Sequence, residues 1–179
     1  VILMKYKDEL IRSMEWLGEK DDTFFLGQSV KYSGNAIYNT LSTLDDSKKI
    51  ETPVFEEVQM GMSTGMAMNG LVPITCFPRF DFLMRCMDSL VNHLDKMQNM
   101  TENNFQPKVI IRTSIGSTNP LNGGVQHTQD YTSMFKLILN EVNVILLDEP
   151  EDIFPTFRKA YEGVGSSLII EWGDYYNEK

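Results

Sequence analysis

A carboxylate at the mouth of a glycine-marked helix is the feature of this sequence with the most chemical content. The run Glu51-Thr-Pro-Val-Phe-Glu56-Glu57-Val-Gln-Met-Gly61-Met-Ser-Thr-Gly65-Met-Ala67 places Glu56 at the entry of a helix. The next turns of that helix carry Gly61, Gly65 and Ala67. Acidic side chains suit a helix N-terminus, where unpaired N–H groups and the dipole favour negative charge. Glycine costs a helix interior about 1 kcal/mol relative to alanine, so two of them need a reason. Spaced four apart they share one face, which is then expected to meet another backbone or a flat ligand closely. Two readings stand at this level: a carboxylate site beside a tight helix face, or a core helix with a glycine packing stripe.

Other reactive side chains are few. His127 falls in a loop near a strand end, where an imidazole either handles protons near neutral pH or simply packs. His93 sits among Leu90, Val91 and Leu94 and reads as structural. Arg112 either meets a substrate or partner carboxylate or forms an internal salt bridge. Cys76 and Cys86 read as free thiols in a reducing compartment. Two His and two Cys with no recognisable ligand spacing predict no metal site on this chain. Met60, Met62, Met66 and Met68 read as packing, a subunit interface included.

These residues must be positioned by elements that the hydrophobic pattern outlines. Met4 to Trp16 reads as an amphipathic helix, with Leu10, Ile11, Met14 and Leu17 on one side. Strands are expected at Thr23–Gly27, Ile50–Thr52, Val72–Phe77, Val109–Thr113, Val142–Leu147 and Ser167–Trp172. Helices are expected at Asn35–Leu44, from Glu56, at Asp81–Met97, near Tyr131–Leu139, and from Asp148 through Tyr161. The last opens with Glu149, Pro150, Glu151 and Asp152, a strong start signal. Strands alternate with helices, and several strands are continuous apolar runs. That pattern predicts an α/β fold of three layers, αβα, around a mostly parallel central sheet. Sites in such folds lie at the carboxyl ends of strands, so the loops after Phe77 and Thr113 are the places to look.

The chain has 179 residues, 42% hydrophobic and 23% charged, which suits one domain spanning 4–179. Its net charge of -9, with scattered basic residues, excludes nucleic acid as an expected partner. No apolar run is long enough to span a membrane, and Val-Ile-Leu-Met-Lys is too short for a signal peptide. Met4 reads as the natural start and the cytoplasm as the compartment. The charge also disfavours unaided capture of a diphosphate, so a bound polyanion would need cations from elsewhere.

Several blocks together resemble one family. Thr52-Pro-Val-Phe-Glu56, Gly61, Gly65, Gly70-Leu71 and Pro73-Ile74 keep the register of the pyrimidine-binding domain of thiamine-diphosphate enzymes. Phe80-Asp-Phe82, the loop to Gln126-His127-Thr128-Gln129, and Leu168-Ile-Ile-Glu171 extend the likeness over nearly the whole chain. The nearest pattern is that of the beta subunits of the decarboxylating component of 2-oxo acid dehydrogenase complexes, of the pyruvate, branched-chain and acetoin types. There are departures. Phe55 stands where the family has a small residue, and Gln28 follows Leu26-Gly27 where it has an acid. Pro78-Arg79 replaces a different pair. The family's carboxyl-terminal domain is absent, so the chain is a free-standing domain or a fragment.

The resemblance implies thiamine diphosphate as cofactor. It implies that Glu56 hydrogen-bonds the aminopyrimidine ring nitrogen and activates the cofactor. Phe82 would stack on that ring and Val54 would line the same apolar pocket. His127 would handle protons or substrate carboxylate, so Glu56 and His127 are the expected catalytic residues. The diphosphate and its Mg²⁺ are not provided for, since the family holds them with a Gly-Asp-Gly…Asn motif on a second domain. Gly173-Asp174-Tyr175 is only a look-alike. An alpha-like partner chain is therefore implied, in a heterotetramer of two alpha-like and two beta-like chains. The expected reaction is decarboxylation or cleavage of a 2-oxo acid or acyloin, with transfer of the acyl or aldehyde unit. The alternatives are a split transketolase subunit and a non-catalytic flavodoxin-like binding module.

Overall fold

The structure, a computed structural model, describes residues 4–178. Helix α1 (Tyr6–Gly18) presents Tyr6, Leu10, Met14 and Leu17 as one buried stripe, the spacing that turns a 3.6-residue period into a single face. Strand β1 (Thr23–Gly27) follows. A short β2 (Lys49–Glu51) leads into helix α2 (Glu56–Met68), then β3 (Val72–Phe77). Strand β4 (Ile110–Ile115), β5 (Asn143–Leu146) and β6 (Ser167–Trp172) complete a six-stranded sheet in the order β2-β1-β3-β4-β6-β5. Every pairing is parallel.

A wholly parallel sheet must be covered on both faces, and two separate cores do this. Ile110 of β4 and Ile169 of β6 join α1 and Phe157 of the helix Pro150–Glu162 in one core. Their neighbours Ile111, Leu168 and Ile170 join Met60 of α2, Phe80 and Phe135 in the other. The alternation along each strand feeds the two cores in turn. The expected three-layer αβα fold is thus the observed one.

Two expected helices are not formed as read. Between Asn35 and Leu44 only a single tight turn, Tyr38–Thr40, is helical. Asn35 Oδ1 accepts from the Tyr38 N–H at 2.8 Å, and Thr40 Oγ1 donates to the Ile37 carbonyl at 2.7 Å. Such local side-chain bonds offer the backbone an alternative to helix.

The long helix expected over Asp81–Met97 is broken into α3 (Phe80–Leu83), a tight turn Met84–Cys86, wider π turns over Asp88–Leu94, and α4 (Met97–Met100). The Asp95 N–H bonds Leu90 O, five residues back, at 2.9 Å. This widening sets Asp95 where its Oδ1 accepts from the N–H groups of Asn140, Glu141 and Val142, at 2.9, 2.9 and 3.0 Å. The helices Thr132–Ile138 (α5), Pro150–Glu162 (α6) and Tyr175–Glu178 (α7) close the list, the last not foreseen from sequence.

Candidate functional site

The carboxyl ends of β1, β3, β4 and β6 surround a cleft of about 170 Å³. Gly27 ends β1 at φ 152°, and a Cβ there would lie 2.3 Å from the Cys76 carbonyl, so only glycine allows β1 and β3 to close at this point. Gln59 of α2 ties the junction. Its amide nitrogen donates to Thr75 Oγ1 at 2.9 Å and Cys76 O at 3.0 Å. The start of α2, and Glu56 with it, is thereby fixed over the strand ends.

Glu56 opens α2 and is buried, 6% exposed. Its Oε2 accepts from Arg85 Nε at 3.1 Å. The Arg85 side chain is 69% exposed, and a pair so open to water is worth about 1 kcal/mol at most. Among the described residues only that one oxygen of Glu56 is engaged. Phe82 stands one turn before Arg85 and is half-buried, and its ring meets the His127 ring edge-on, with centroids 5.6 Å apart. The short stretch Phe80–Cys86 therefore reaches Glu56 through Arg85 and His127 through Phe82.

His127 lies in the loop after β4. Its Nδ1 is 2.9 Å from the Gly123 carbonyl. A carbonyl only accepts, so Nδ1 carries the proton in the neutral ring and Nε2 is left with its lone pair. The loop closes on itself, since a Cβ at Gly116 would sit 1.8 Å from the His127 carbonyl. Arg79 Nη1 donates to that same carbonyl at 3.2 Å.

Val54 lies on the same edge, between β2 and α2, but is 62% exposed and is not among the residues lining the cleft. A Cβ at Gly61 or Gly65 would meet nothing within 4 Å, so among the described residues nothing packs on the glycine face of α2. Arg112 makes the internal pair. It donates through Nε and Nη2 to Glu171, with both side chains fully buried and Tyr176 donating to the same carboxylate. Burial alone would lower the Arg112 pKa, but the adjacent Glu171 charge outweighs it and holds it raised. His93 is exposed and faces Asp88 at 3.4 Å rather than packing in the core. Burial pushes both thiols, Cys76 and Cys86, up to about 12. Both are free, and burial disfavours the thiolate that a nucleophile needs.

Sequence reasoning missed the residues that shape the loops. Glu51 accepts from the N–H groups of Ser29, Val30 and Lys31 at 2.6, 2.9 and 2.8 Å. Asp174, set aside as a look-alike, accepts from the Thr118 and Asn119 N–H groups at 2.6 and 3.1 Å. Neither partner set is adjacent in sequence, so no local spacing announces them. Among the described residues no group of three His, Cys, Asp or Glu is placed to hold a metal ion. Nor is any described helix long and apolar enough to cross a membrane.

Residues 11–172 match the family described as transketolase, pyrimidine binding domain. The chain is 29% identical over 167 residues to the pyruvate dehydrogenase E1 component subunit beta of Saccharomyces cerevisiae, covering 92% of this chain and 45% of that one. It is 31% identical over 171 residues to the corresponding subunit of Ascaris suum, covering 92% and 46%. The 2-oxoisovalerate dehydrogenase subunit beta of Bacillus subtilis is 24% identical over 74% of this chain and 41% of its own. The chain thus spans about half the length of the curated relatives it matches. Transketolase from Campylobacter jejuni shares the fold with a TM-score of 0.72 at 12% identity, over 94% of this chain and 26% of that one. An inactive beta4 tetramer of a split-gene transketolase does so with a TM-score of 0.64 at 14% identity, over 94% and 51%. The chain belongs to the transketolase pyrimidine-binding domain family.

Proposed function

We propose that this chain is the beta-like subunit of a two-chain thiamine-diphosphate enzyme that decarboxylates or cleaves a 2-oxo acid or acyloin and transfers the acyl or aldehyde unit. One observation carries the reading: a single helical stretch links Glu56, through Arg85, with the Phe82–His127 ring pair at the carboxyl edge of the sheet. The relatives named as beta subunits of pyruvate and 2-oxoisovalerate dehydrogenases support the same class.

The residues fit an aminopyrimidine. Glu56 is a buried acceptor with an oxygen to spare, and would bond the ring nitrogen and share its proton. Phe82 offers a flat apolar ring, and aromatic stacking would fix the pyrimidine in place. Val54, exposed here, would be covered on assembly. His127 points a lone pair from Nε2 and can take or return a proton beside the reacting carbon, or bond the substrate carboxylate. Thiamine diphosphate, when bound, supplies the nucleophilic carbon and electron sink that cleavage beside a 2-oxo group needs. Mg²⁺ takes oxygen ligands together with phosphates, and the described residues of this chain do not fit it. We assign it and the diphosphate to an alpha-like partner, in a heterotetramer of two alpha-like and two beta-like chains.

The test begins with purification of the chain from its own cells. A stoichiometric partner bearing Gly-Asp-Gly…Asn is expected, and a chain that returns alone overturns the two-chain reading. In the assembled enzyme, Glu56→Gln should abolish turnover while the complex still assembles. Unchanged turnover in that variant removes Glu56 from the chemistry. Assays with pyruvate and with a ketose phosphate separate the dehydrogenase-type reaction from ketol transfer.

A further inference from the structure

Two of the departures from the family pattern, Gln28 and Pro78-Arg79, lie far apart in sequence but line one cleft. Arg79 is its only charged residue. Gln28, Ser29, Ser114 and Ser117 surround it with amide and hydroxyl groups, and no acidic residue lines the cleft. In a chain of net charge -9 that is a selective exclusion.

Arg79 also differs from every other arginine of the chain. Arg12, Arg85, Arg112 and Arg158 each pair with a carboxylate. Arg79 has no carboxylate partner among the described residues, and its one hydrogen bond goes to the His127 carbonyl. A guanidinium carries five N–H donors, so most of its capacity is unspent. The loop makes room for it: a Cβ at Gly116 would lie 2.4 Å from Nη1. Held against the His127 backbone, the cation borders the proposed reaction site, and Phe82 lines both.

We infer that this cleft is a subsite for a carboxylate at the far, unreacting end of the substrate. The carboxylate that leaves as CO₂ must shed its charge. A cation fixed on it would stabilise the ground state more than the transition state and slow the step. Arg79 suits instead a charge that persists through the reaction. A guanidinium fork matches a carboxylate in two parallel bonds. At about 170 Å³ the cleft is smaller than the roughly 300–1,000 Å³ of whole-ligand pockets, so it takes one end of a molecule. The substrate class is therefore a 2-oxo dicarboxylic acid. This last step rests on the function proposed above, whereas the anion subsite itself does not.

The first experiment needs no cofactor. The purified chain is titrated with glutarate while the Arg79 Nε–H resonance is followed by NMR. A saturable shift is expected, absent with the neutral diamide. Backbone amides of Ser114 and Ser117 should report the same binding, lost in Arg79→Gln and weakened in Arg79→Lys, which keeps the charge without the fork. No saturable shift with glutarate, or the same shift in folded Arg79→Gln, overturns the subsite. A response to inorganic phosphate but not to glutarate overturns the carboxylate assignment.

The second experiment uses the assembled enzyme. Arg79→Gln should raise KM for a 2-oxo dicarboxylate by at least about tenfold, the scale of a lost charge-assisted hydrogen bond. KM for pyruvate, which has no far carboxylate, should rise by much less. An equal rise for both substrates overturns the far-end assignment. Glutarate binding by a chain that never engages thiamine diphosphate would leave the subsite standing and remove the enzyme reading alone.

Discussion

Glu171 and Glu56 are both buried glutamates beside an arginine, and they are held in opposite ways. Glu171 is next to last in β6, with Arg112 on the neighbouring strand β4, and both side chains are at 0% exposure. Tyr176 of α7 completes the set, and its own pKa is raised well above the usual phenol value, by burial first and by Glu171 second. Glu56 starts a helix at the sheet edge, its side chain 7% exposed, against an arginine whose side chain is 69% exposed. The first pair is sealed in low dielectric, where charges can be held only by each other. The second has one end in water, so its carboxylate can change partners cheaply. The difference separates charge that builds the fold from charge available for chemistry.

The strongest way to break this contrast is to open the sealed pair. Glu171→Ala leaves an uncompensated guanidinium in the core and should cost about 3–5 kcal/mol in urea unfolding. Replacing both partners with apolar residues, Arg112→Met with Glu171→Leu, should recover most of that loss. If Glu171→Ala unfolds like the parent chain, the pair is not sealed and the contrast fails.

Asp95 lies between these extremes. It is fully buried, yet Lys96 Nζ, 2.6 Å away, is part-exposed. Burial opposes its charge, but Lys96 and the three backbone N–H groups outweigh burial and hold the carboxyl below its ordinary range. A folded pKa below the unfolded value of about 3.9 means the contribution is complete above that pH and fades as pH falls through the folded value. Asp95→Asn should therefore cost about 1–3 kcal/mol at pH 7. The gap from wild type should narrow below about pH 4, because only the wild type loses a charge there. A gap that stays constant from pH 7 to pH 3 would show that the carboxylate charge contributes nothing.

Asp95 also shows where sequence legibility ended. Strand positions were readable because apolar runs such as Val72–Phe77 and Ser167–Trp172 are buried along nearly their full length, and such runs declare themselves. Glu56 and His127 stood out as candidates because their surrounding blocks are distinctive in type and order. The break in the 81–97 helix was not readable, because the loop at 140–142 whose N–H groups donate to Asp95 lies far along the chain. The choice for Arg112 stayed open for the same reason, since Glu171 is 59 residues away. Gly61 and Gly65 gave a true helix, and their face is open among the described residues of this chain, so what it meets is not a neighbour within the fold. Arg79 was noticed only as a departure, and its lack of a carboxylate partner is a property of the fold.

The smallest expected effects lie at Glu56, and they sharpen the contrast most. Arg85→Ala should change stability by about 1 kcal/mol at most, the worth of a pair with one end in water. The same holds for Glu56→Gln, which keeps the shape and one acceptor. If either costs 3 kcal/mol or more in urea unfolding, Glu56 belongs with Glu171 as a structural charge. Under the proposed function Arg85→Ala has a second consequence. Arg85 draws on the charge of the same carboxylate whose spare oxygen would bond the aminopyrimidine nitrogen, so removing the arginine should tighten thiamine diphosphate in the assembled enzyme. About 1 kcal/mol released from the pair corresponds to about fivefold in Kd, within reach of calorimetry. Weaker cofactor binding in Arg85→Ala would mean that the arginine orients Glu56 rather than occupying it.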